Sequence, residues 1–232
     1  MDLEIKTTVE KYNVIAEEVR TFIKQYEPLL SQTDIYFGTQ ILYSPAVYKP
    51  KFMFIGINPG AGYFNSEKKN VEEFGEQDEF EYTDDNESYR LKNETNELFK
   101  LAGCHGELED SVKTNCYFLA TRKQKDLDIL ATMFYEHKIN LHEMSAIWVR
   151  KIIEIIEPKI IICEGKSAYG RVTCNVLNCP SSPSDWENGV GYVHAKQNIH
   201  VIGYERSWSN IKYKEKVALK IEELNELVSR SS

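Results

Sequence analysis

One asparagine, Asn58, stands where its side chain could act on a bound ligand. It lies in the segment KFMFIGINPG, residues 51–60, whose continuous apolar run at 52–55 is typical of a strand buried on both faces of a parallel sheet. Pro59 fixes the backbone beside Asn58, and the flanking Gly56 and Gly60 allow close approach of a ligand. The sequence therefore predicts a rigidly held carboxamide, with one acceptor and two donors, at the sheet edge where ligands of α/β proteins bind.

The GINPG segment resembles motif one of the uracil-DNA glycosylase superfamily, especially its mismatch-specific uracil/thymine branch. Further segments resemble other parts of that family in the same order, over residues of about 50 to 228. They are an N-x-[FL]-[FW]…A-G helix at 95–103, a second strand with an Asn at 114–117, a P-K-hydrophobic-G third strand at 157–165, and the position of motif two at 201–209. Agreement is strong at motif one and poor at motif two.

The resemblance implies an α/β fold, a three-layer α/β/α sandwich with a central, mainly parallel, four-stranded sheet as in uracil-DNA glycosylases. It implies hydrolysis of the N-glycosidic bond to uracil, or to a related mismatched or damaged base in DNA. Asn58 would be the catalytic residue, positioning the water that attacks C1′. We expect no cofactor and no metal, because base extrusion, electrostatics and water placement suffice for such a reaction.

The same resemblance implies a set of residues that bind the substrate. One of two adjacent aromatic residues would stack on the extruded base, or would instead cap the core. An Asn on the second strand would bond O4 and N3–H of uracil, or would be a satisfied structural group. The predicted binding residues are Gly56, Ile57, Pro59, Gly60, Tyr63, Phe64, Asn115, Tyr204, Arg206, Ser207 and Trp208.

Motif two departs from the family pattern. Tyr204 stands where relatives have His or Asn, and Arg206 stands near their Ser, where it could supply positive charge to a departing base anion or to a phosphate. Trp208 is either an apolar wedge that fills the gap left by an extruded base or a core anchor. Ser207 and Ser209 are predicted to cap the final helix or to bind phosphate there.

The net charge of −8 over 232 residues is concentrated in one stretch. Nine acidic residues and no Lys or Arg occur between positions 72 and 87, so the rest of the chain is close to neutral. We interpret this stretch as part of an acidic insertion, about 66–92, that is a solvated loop or a lid beside the pocket. An acidic lid would repel the phosphates of DNA, the predicted partner.

The chain is predicted to be a single domain, 1–232, with an N-terminal helix at about 3–27 that ends at Glu27-Pro28. Further helices are predicted at 93–101, 127–135, 145–156 and 217–228, and further strands at 112–120, 160–163 and 198–203. Residues 179–191 are predicted to be an exposed loop. A charged N-terminus and the lack of a long apolar run favour a cytoplasmic protein without a membrane partner. The five cysteines are predicted to be reduced thiols, and their spacing does not suggest a metal site.

Two alternatives to a DNA glycosylase remain at this point. One is a binding module that keeps the pocket and has lost the chemistry. The other is a hydrolase of free nucleosides or nucleotides, which would tolerate the acidic insertion better. A basic surface stripe would favour DNA, and its absence would favour the alternatives; the residues expected to form it are Arg206, Lys212, Lys214 and Lys216.

Overall fold

The computed structural model describes residues 2–60, 79–83, 89–179, 186–196 and 198–230. Tyr63, Phe64 and most of the acidic insertion lie outside these ranges. Within the described residues, none of the helices combines the length and the apolar character that a membrane span requires.

Five of the six helices in the described ranges overlap the predicted positions, whereas α5 was not predicted and α1 ends later than predicted. In chain order they are α1 (Asp2–Leu30), α2 (Arg90–Leu101), α3 (Gln124–Glu136), α4 (Leu141–Ile156), α5 (Lys166–Arg171) and α6 (Lys214–Arg230). Helix α1 continues through Pro28, and the amide of Ser31 still donates to the carbonyl of Glu27 at 2.8 Å. The prediction that this helix ends at Glu27-Pro28 is wrong, because a proline in the last turn removes only one hydrogen bond near an end that is already incomplete.

The strands build one main sheet and two short pairs. In chain order they are β1 (Gly38–Thr39), β2 (Phe52–Gly56), β3 (Val112–Asn115), β4 (Leu119–Ala120), β5 (Ile160–Cys163), β6 (Trp186–Glu187), β7 (Val190–Ala195), β8 (Ile199–Tyr204), β9 (Arg206–Ser207) and β10 (Asn210–Ile211). The main sheet has the order β3-β2-β5-β8-β7-β6. Its first four strands are parallel, and β7 and β6 extend it in antiparallel fashion.

The sheet thus has six strands rather than the predicted four. The two additional strands come from the region 186–195, part of which was predicted to be an exposed loop. Strand β7 is only half buried along its length, so it lacks the continuous apolar run that marks the central strands. The predicted strand at 112–120 is also divided, because β4 leaves the main sheet and pairs with β1.

Helices cover both faces of the main sheet. Met53 and Ile55 of β2 point to one face, where they join a core with residues of α1, α3, α4 and α5. Phe52 and Phe54 point to the other face and pack with residues of α2 and α6. Side chains alternate along a strand, and helices cover both faces here, so both sets of β2 side chains are fully buried. This burial explains the unbroken apolar sequence of β2.

The register places the carboxyl ends of the four parallel strands side by side. Gly56 lies opposite Asn115 of β3, Ile55 opposite Cys163 of β5, and Cys163 opposite Gly203 of β8. The residues that follow these ends therefore meet at one edge of the sheet, where the candidate site is found.

Candidate functional site

A cavity of about 710 Å³ opens at the carboxyl ends of the parallel strands. This volume lies within the range of roughly 300–1,000 Å³ that is usual for small-molecule sites. The lining residues come from segments far apart in the chain: Tyr43, Ile57, Asn58, Pro59, Gly60, Glu81, Tyr89, Leu91, Lys113, Asn115, Thr121, Arg122, Lys123, Gln124, Glu164, Arg206 and Ser209. The structure thus brings six of the twelve predicted site residues to one place, namely Ile57, Asn58, Pro59, Gly60, Asn115 and Arg206.

The side chain of Asn58 is held in one orientation by its amide nitrogen. Nδ2 donates to the carbonyl of Pro59 at 2.9 Å and to Thr121 Oγ1 at 3.0 Å, and it lies 3.5 Å from the carbonyl of Leu119. Carbonyl oxygens only accept hydrogen bonds, so the NH₂ group must face them and Oδ1 must face away. Within the described part of the chain no donor contacts Oδ1, which leaves an acceptor at the cavity wall.

Gly56 leaves the space that Asn115 occupies. A Cβ atom on Gly56 would lie 2.2 Å from Asn115 Oδ1 and 3.2 Å from Glu164 Oε2. The side chains of Asn115 and Glu164 therefore converge directly above the glycine, and any larger residue would displace the first of them. The need for glycine at position 56 is thus a packing requirement of the site.

Four polar residues form the floor of the cavity, and we call Glu81, Lys113, Asn115 and Glu164 the floor cluster. All four are nearly inaccessible to solvent. Lys113 Nζ lies 2.8 Å from Glu81 Oε2 and 3.6 Å from Glu164 Oε2. Two carboxylates therefore surround one ammonium group in a buried site.

Two tyrosines brace the floor cluster. Tyr82 accepts a hydrogen bond from Lys113 and donates one to Glu164 Oε1, and Tyr89 donates to Glu81 Oε1. Burial, reinforced by the charges of Glu164 and Glu81, raises the pKa of Tyr82 well above its usual value. The phenol stays protonated at neutral pH and remains a hydrogen-bond donor.

The position of Glu81 corrects part of the interpretation of the acidic insertion. Phe80, Glu81 and Tyr82 belong to the stretch interpreted as a solvated loop or lid, yet all three are buried. Phe80 and Tyr82 pack with Phe54 on the α2 and α6 face of the sheet. This part of the insertion is a component of the core and of the cavity floor.

Basic residues lie at the rim of the cavity. Arg122 and Lys123 are exposed, and Arg206 is partly buried with its Nε 3.4 Å from the place where a Cβ on Gly165 would lie. The Arg122 segment is tied to the Asn58 side chain, since Thr121 Oγ1 accepts from Asn58 and donates to the carbonyl of Lys123. The rim thus offers three cations above a floor that holds two carboxylates.

The motif-two segment, residues 201–209, begins in β8, and its last residues enter a small hairpin, residues 206–211, that we call the rim hairpin. Strands β9 and β10 pair antiparallel and leave Trp208 and Ser209 at the turn. Trp208 is 93% exposed and has a φ of 57°, an uncommon conformation for a bulky residue. The alternative that Trp208 is a core anchor is therefore wrong.

Ser207 is exposed, and helix α6 begins only at Lys214, so neither Ser207 nor Ser209 caps it.

The structure does not bring Tyr204 into the cavity. Its ring is fully buried in the core beneath α2 and α6, where β8 directs it. Burial and the nearby charge of Glu164 raise its pKa well above the usual value. Its hydroxyl is buried, and no partner for it occurs among the described residues. The geometry therefore does not support the prediction that Tyr204 binds the substrate.

The expected basic stripe is largely neutralised. Lys212 pairs with Glu205 at 2.6 Å, and Lys214 pairs with Glu94 at 3.1 Å and with Glu97 at 2.5 Å. Lys216 lies over the ring of Tyr213. Of the four stripe residues only Arg206 lines the cavity, and the other cations there are Arg122 and Lys123 of the rim and Lys113 of the floor.

Sequence reasoning missed Lys113, Glu164 and Thr121. A signal for the first two was present, because each charge adjoins the apolar residues of a buried strand, in VKTN and IIICE. Thr121 had no such signal, since its contact with Asn58 joins distant parts of the chain.

No protein-family model and no curated protein matches this chain. Only the cavity and its lining residues therefore bear on the function.

Proposed function

We propose that this protein hydrolyses the N-glycosidic bond of uracil, or of a related mismatched or damaged base, after the base has been extruded from DNA. The proposed fold is the three-layer sandwich of the uracil-DNA glycosylase superfamily, and the proposed compartment is the cytoplasm. The observation that carries the proposal is the orientation of Asn58, whose Oδ1 faces the cavity while its NH₂ group is held by Pro59 and Thr121.

Asn58 Oδ1 is suited to accept a hydrogen bond from water. Three oxygens fix the amide nitrogen, so the acceptor is oriented before the substrate arrives. A water held in this way would be directed at C1′ of a sugar whose base enters the cavity. Such placement lowers the barrier because the reacting atoms need no further ordering.

Asn115 lies close enough to serve as the reader of the base. It flanks the gap above Gly56, and it is buried while still lining the cavity. Its amide offers one acceptor and two donors, which match the alternating edge of a base such as uracil. No hydrogen bond of this amide occurs within the described ranges, as expected for a group kept for a ligand.

The rim supports a nucleic-acid substrate. Arg122, Lys123 and Arg206 can contact phosphates on either side of an extruded nucleotide. Trp208 projects from the rim hairpin, where an apolar side chain can replace the extruded base in the stack. We propose that wedge role for Trp208.

The proposal is tested by a cleavage assay on single- and double-stranded oligonucleotides that carry one uracil or one mismatch, at low ionic strength. Asn58→Ala should lower turnover by a factor of roughly 10² or more and leave the fold intact. Asn58→Asp keeps the shape and adds a general base, so it should retain or raise activity. Asn13→Ala, at an exposed position of α1, is the matched control.

Two results would count against the proposal. If the Ala variant is folded and as active as the parent, Asn58 is not catalytic. If the parent cleaves none of these substrates yet binds the oligonucleotides, the protein is a binding module of the same fold.

A second candidate is a hydrolase of free nucleosides or nucleotides. It is favoured by the pairing of Lys212 and Lys214 with glutamates, which neutralises two of the four cations expected to contact a DNA backbone. Release of free base from a nucleoside 5′-monophosphate, with no cleavage of the same nucleotide inside an oligonucleotide, would establish this candidate over the first.

A further inference from the structure

The floor cluster carries one net negative charge within the cavity. Glu81 and Glu164 face the single ammonium group of Lys113, and the ring of Tyr82 lies 3.9 Å from its Nζ. Glu164 is 3% exposed and Lys113 is 5% exposed, so solvent screens these charges little. A base that reaches the floor meets this negative charge directly, whereas the three cations of the rim lie above it.

The cluster also has hydrogen-bonding capacity that the described residues do not use. Lys113 donates to Tyr82 and contacts Glu81, which leaves one of its three protons. Glu164 Oε1 accepts from Tyr82, but Oε2 accepts no hydrogen bond from the described part of the chain and lies 3.6 Å from Lys113. The amide of the 5% exposed Asn115 stands beside it without an assigned partner in the same ranges. One donor and one charged acceptor are therefore kept side by side for a ligand.

A donor next to a carboxylate matches the edge of a guanine-type base. The carboxylate can accept from N1–H and from the 2-amino group, and the ammonium group can donate to O6. We propose that the floor cluster selects a guanine-type base made cationic by alkylation at N7, with Glu164 as the specificity-determining residue. This inference rests on the proposed glycosidase function of the Asn58 turn and names the base on which it acts.

The charge of the floor cluster favours such a base over uracil. Uracil leaves the sugar as an anion, which one net negative charge at the floor opposes. An N7-alkylated guanine leaves as a neutral molecule, and its bound cation is attracted to the same charge. The rings of Tyr43 and Tyr89, which line the cavity, add aromatic surface that favours a cationic heterocycle.

The test compares two ligands for both binding and cleavage. Calorimetry at low salt measures binding of 7-methylguanosine 5′-monophosphate and of uridine 5′-monophosphate. Single-turnover assays use oligonucleotides with one 7-methyl-2′-deoxyguanosine or one deoxyuridine. A sample without protein measures the spontaneous release of 7-methylguanine. The parent, Glu164→Gln and Glu164→Asp are compared, and Glu109→Gln, at an exposed position, is the matched control.

We expect the parent to prefer the 7-methylguanine ligand by about tenfold or more, and Glu164→Gln to remove that preference. Glu164→Asp keeps the negative charge and should therefore retain part of this preference. The preference of the parent is measured without any variant, so the inference can be tested even if a substitution at position 164 prevents folding.

The outcomes separate this inference from the proposed function. Cleavage of uracil at least as fast as 7-methylguanine, with the ratio unchanged in Glu164→Gln, would overturn the inference and leave the glycosidase function standing. Preferred binding of the 7-methylguanine nucleotide without any cleavage would support the selectivity of the floor and overturn the catalytic proposal. Absence of both binding and cleavage would overturn both.

Discussion

The floor cluster and the rim hairpin border the same cavity, yet the chain holds them by different means. Three of the four floor residues, Lys113, Asn115 and Glu164, belong to or directly follow buried strands, and each charged group of the floor has a charged or phenolic partner. The hairpin consists of two short strands with an exposed Trp208 in a left-handed backbone conformation. The floor is fixed throughout by packing and charge pairing, whereas the hairpin is anchored at Ile211, which is buried in the core, and its turn is exposed.

This difference predicts a division of roles. Groups that must be placed within a fraction of an ångström are expected on rigid elements, whereas groups that meet a large partner can lie on exposed turns. Substitutions at the floor should therefore alter stability and chemistry together. Substitutions at the hairpin should alter only the binding of the partner.

Replacing Lys113 by Met is expected to have the largest effect. The change leaves Glu81 and Glu164 buried without their cation, which should lower the free energy of unfolding by about 3–5 kcal/mol. Urea unfolding followed by circular dichroism measures this loss. The matched control is Lys212→Met, whose partner Glu205 is exposed, and it should change stability by less than about 1 kcal/mol. Equal losses in the two variants would refute the view that the buried pairing of the floor contributes more to stability than a pairing at the surface.

Replacing Gly56 by Ala is expected to have an intermediate effect. The new methyl group would lie 2.2 Å from Asn115 Oδ1, so Asn115 must move or the strand must shift. We expect a loss of about 1–3 kcal/mol in unfolding free energy and a clear loss of ligand binding. Gly106→Ala is the control, because a Cβ there meets no atom within 4 Å. If Gly56→Ala binds and unfolds like the parent, the gap above Gly56 is not part of the site.

Replacing Trp208 by Ala is expected to have the smallest effect on the protein itself. The side chain is 93% exposed, so the unfolding free energy should change by less than about 0.5 kcal/mol. Binding to duplex oligonucleotides should weaken by roughly tenfold, and binding to single strands should weaken less, because only a duplex has a gap to fill. Tyr135→Ala, at an exposed position of α3, is the control. Fluorescence anisotropy with both strand forms would contradict the wedge role if the two losses were equal.

The central strands could be predicted because burial on both faces leaves a continuous apolar run. Residues 160–163 form a strand as predicted, and the Asn58 turn follows β2 as the GINPG segment indicated. The two strands at 186–195 could not be predicted in this way. Strand β7 is half buried, so its sequence lacks both an unbroken apolar run and a strict alternation.

The floor cluster illustrates a different limit of sequence reasoning. Glu81 is one of nine acids in its stretch, and the only local signal of its burial is its position between two aromatic residues, Phe80 and Tyr82. Its burial depends on Lys113, which lies on a strand distant in sequence. Pairings between remote segments are set by the tertiary fold, and local patterns do not encode them.

The order of strands in the main sheet also bears on how the chain is made. Met53 of β2 lies beside Ile161 of β5, and Ile162 of β5 lies beside Ile202 of β8, so the pairing of the parallel strands is complete only after residues 199–204 have left the ribosome. Until then β5 presents an unpaired apolar edge, which is a typical template for aggregation. A nascent chain that stalls before β8 should therefore be a substrate for chaperones, and folding should be slow because its pairings are distant in sequence.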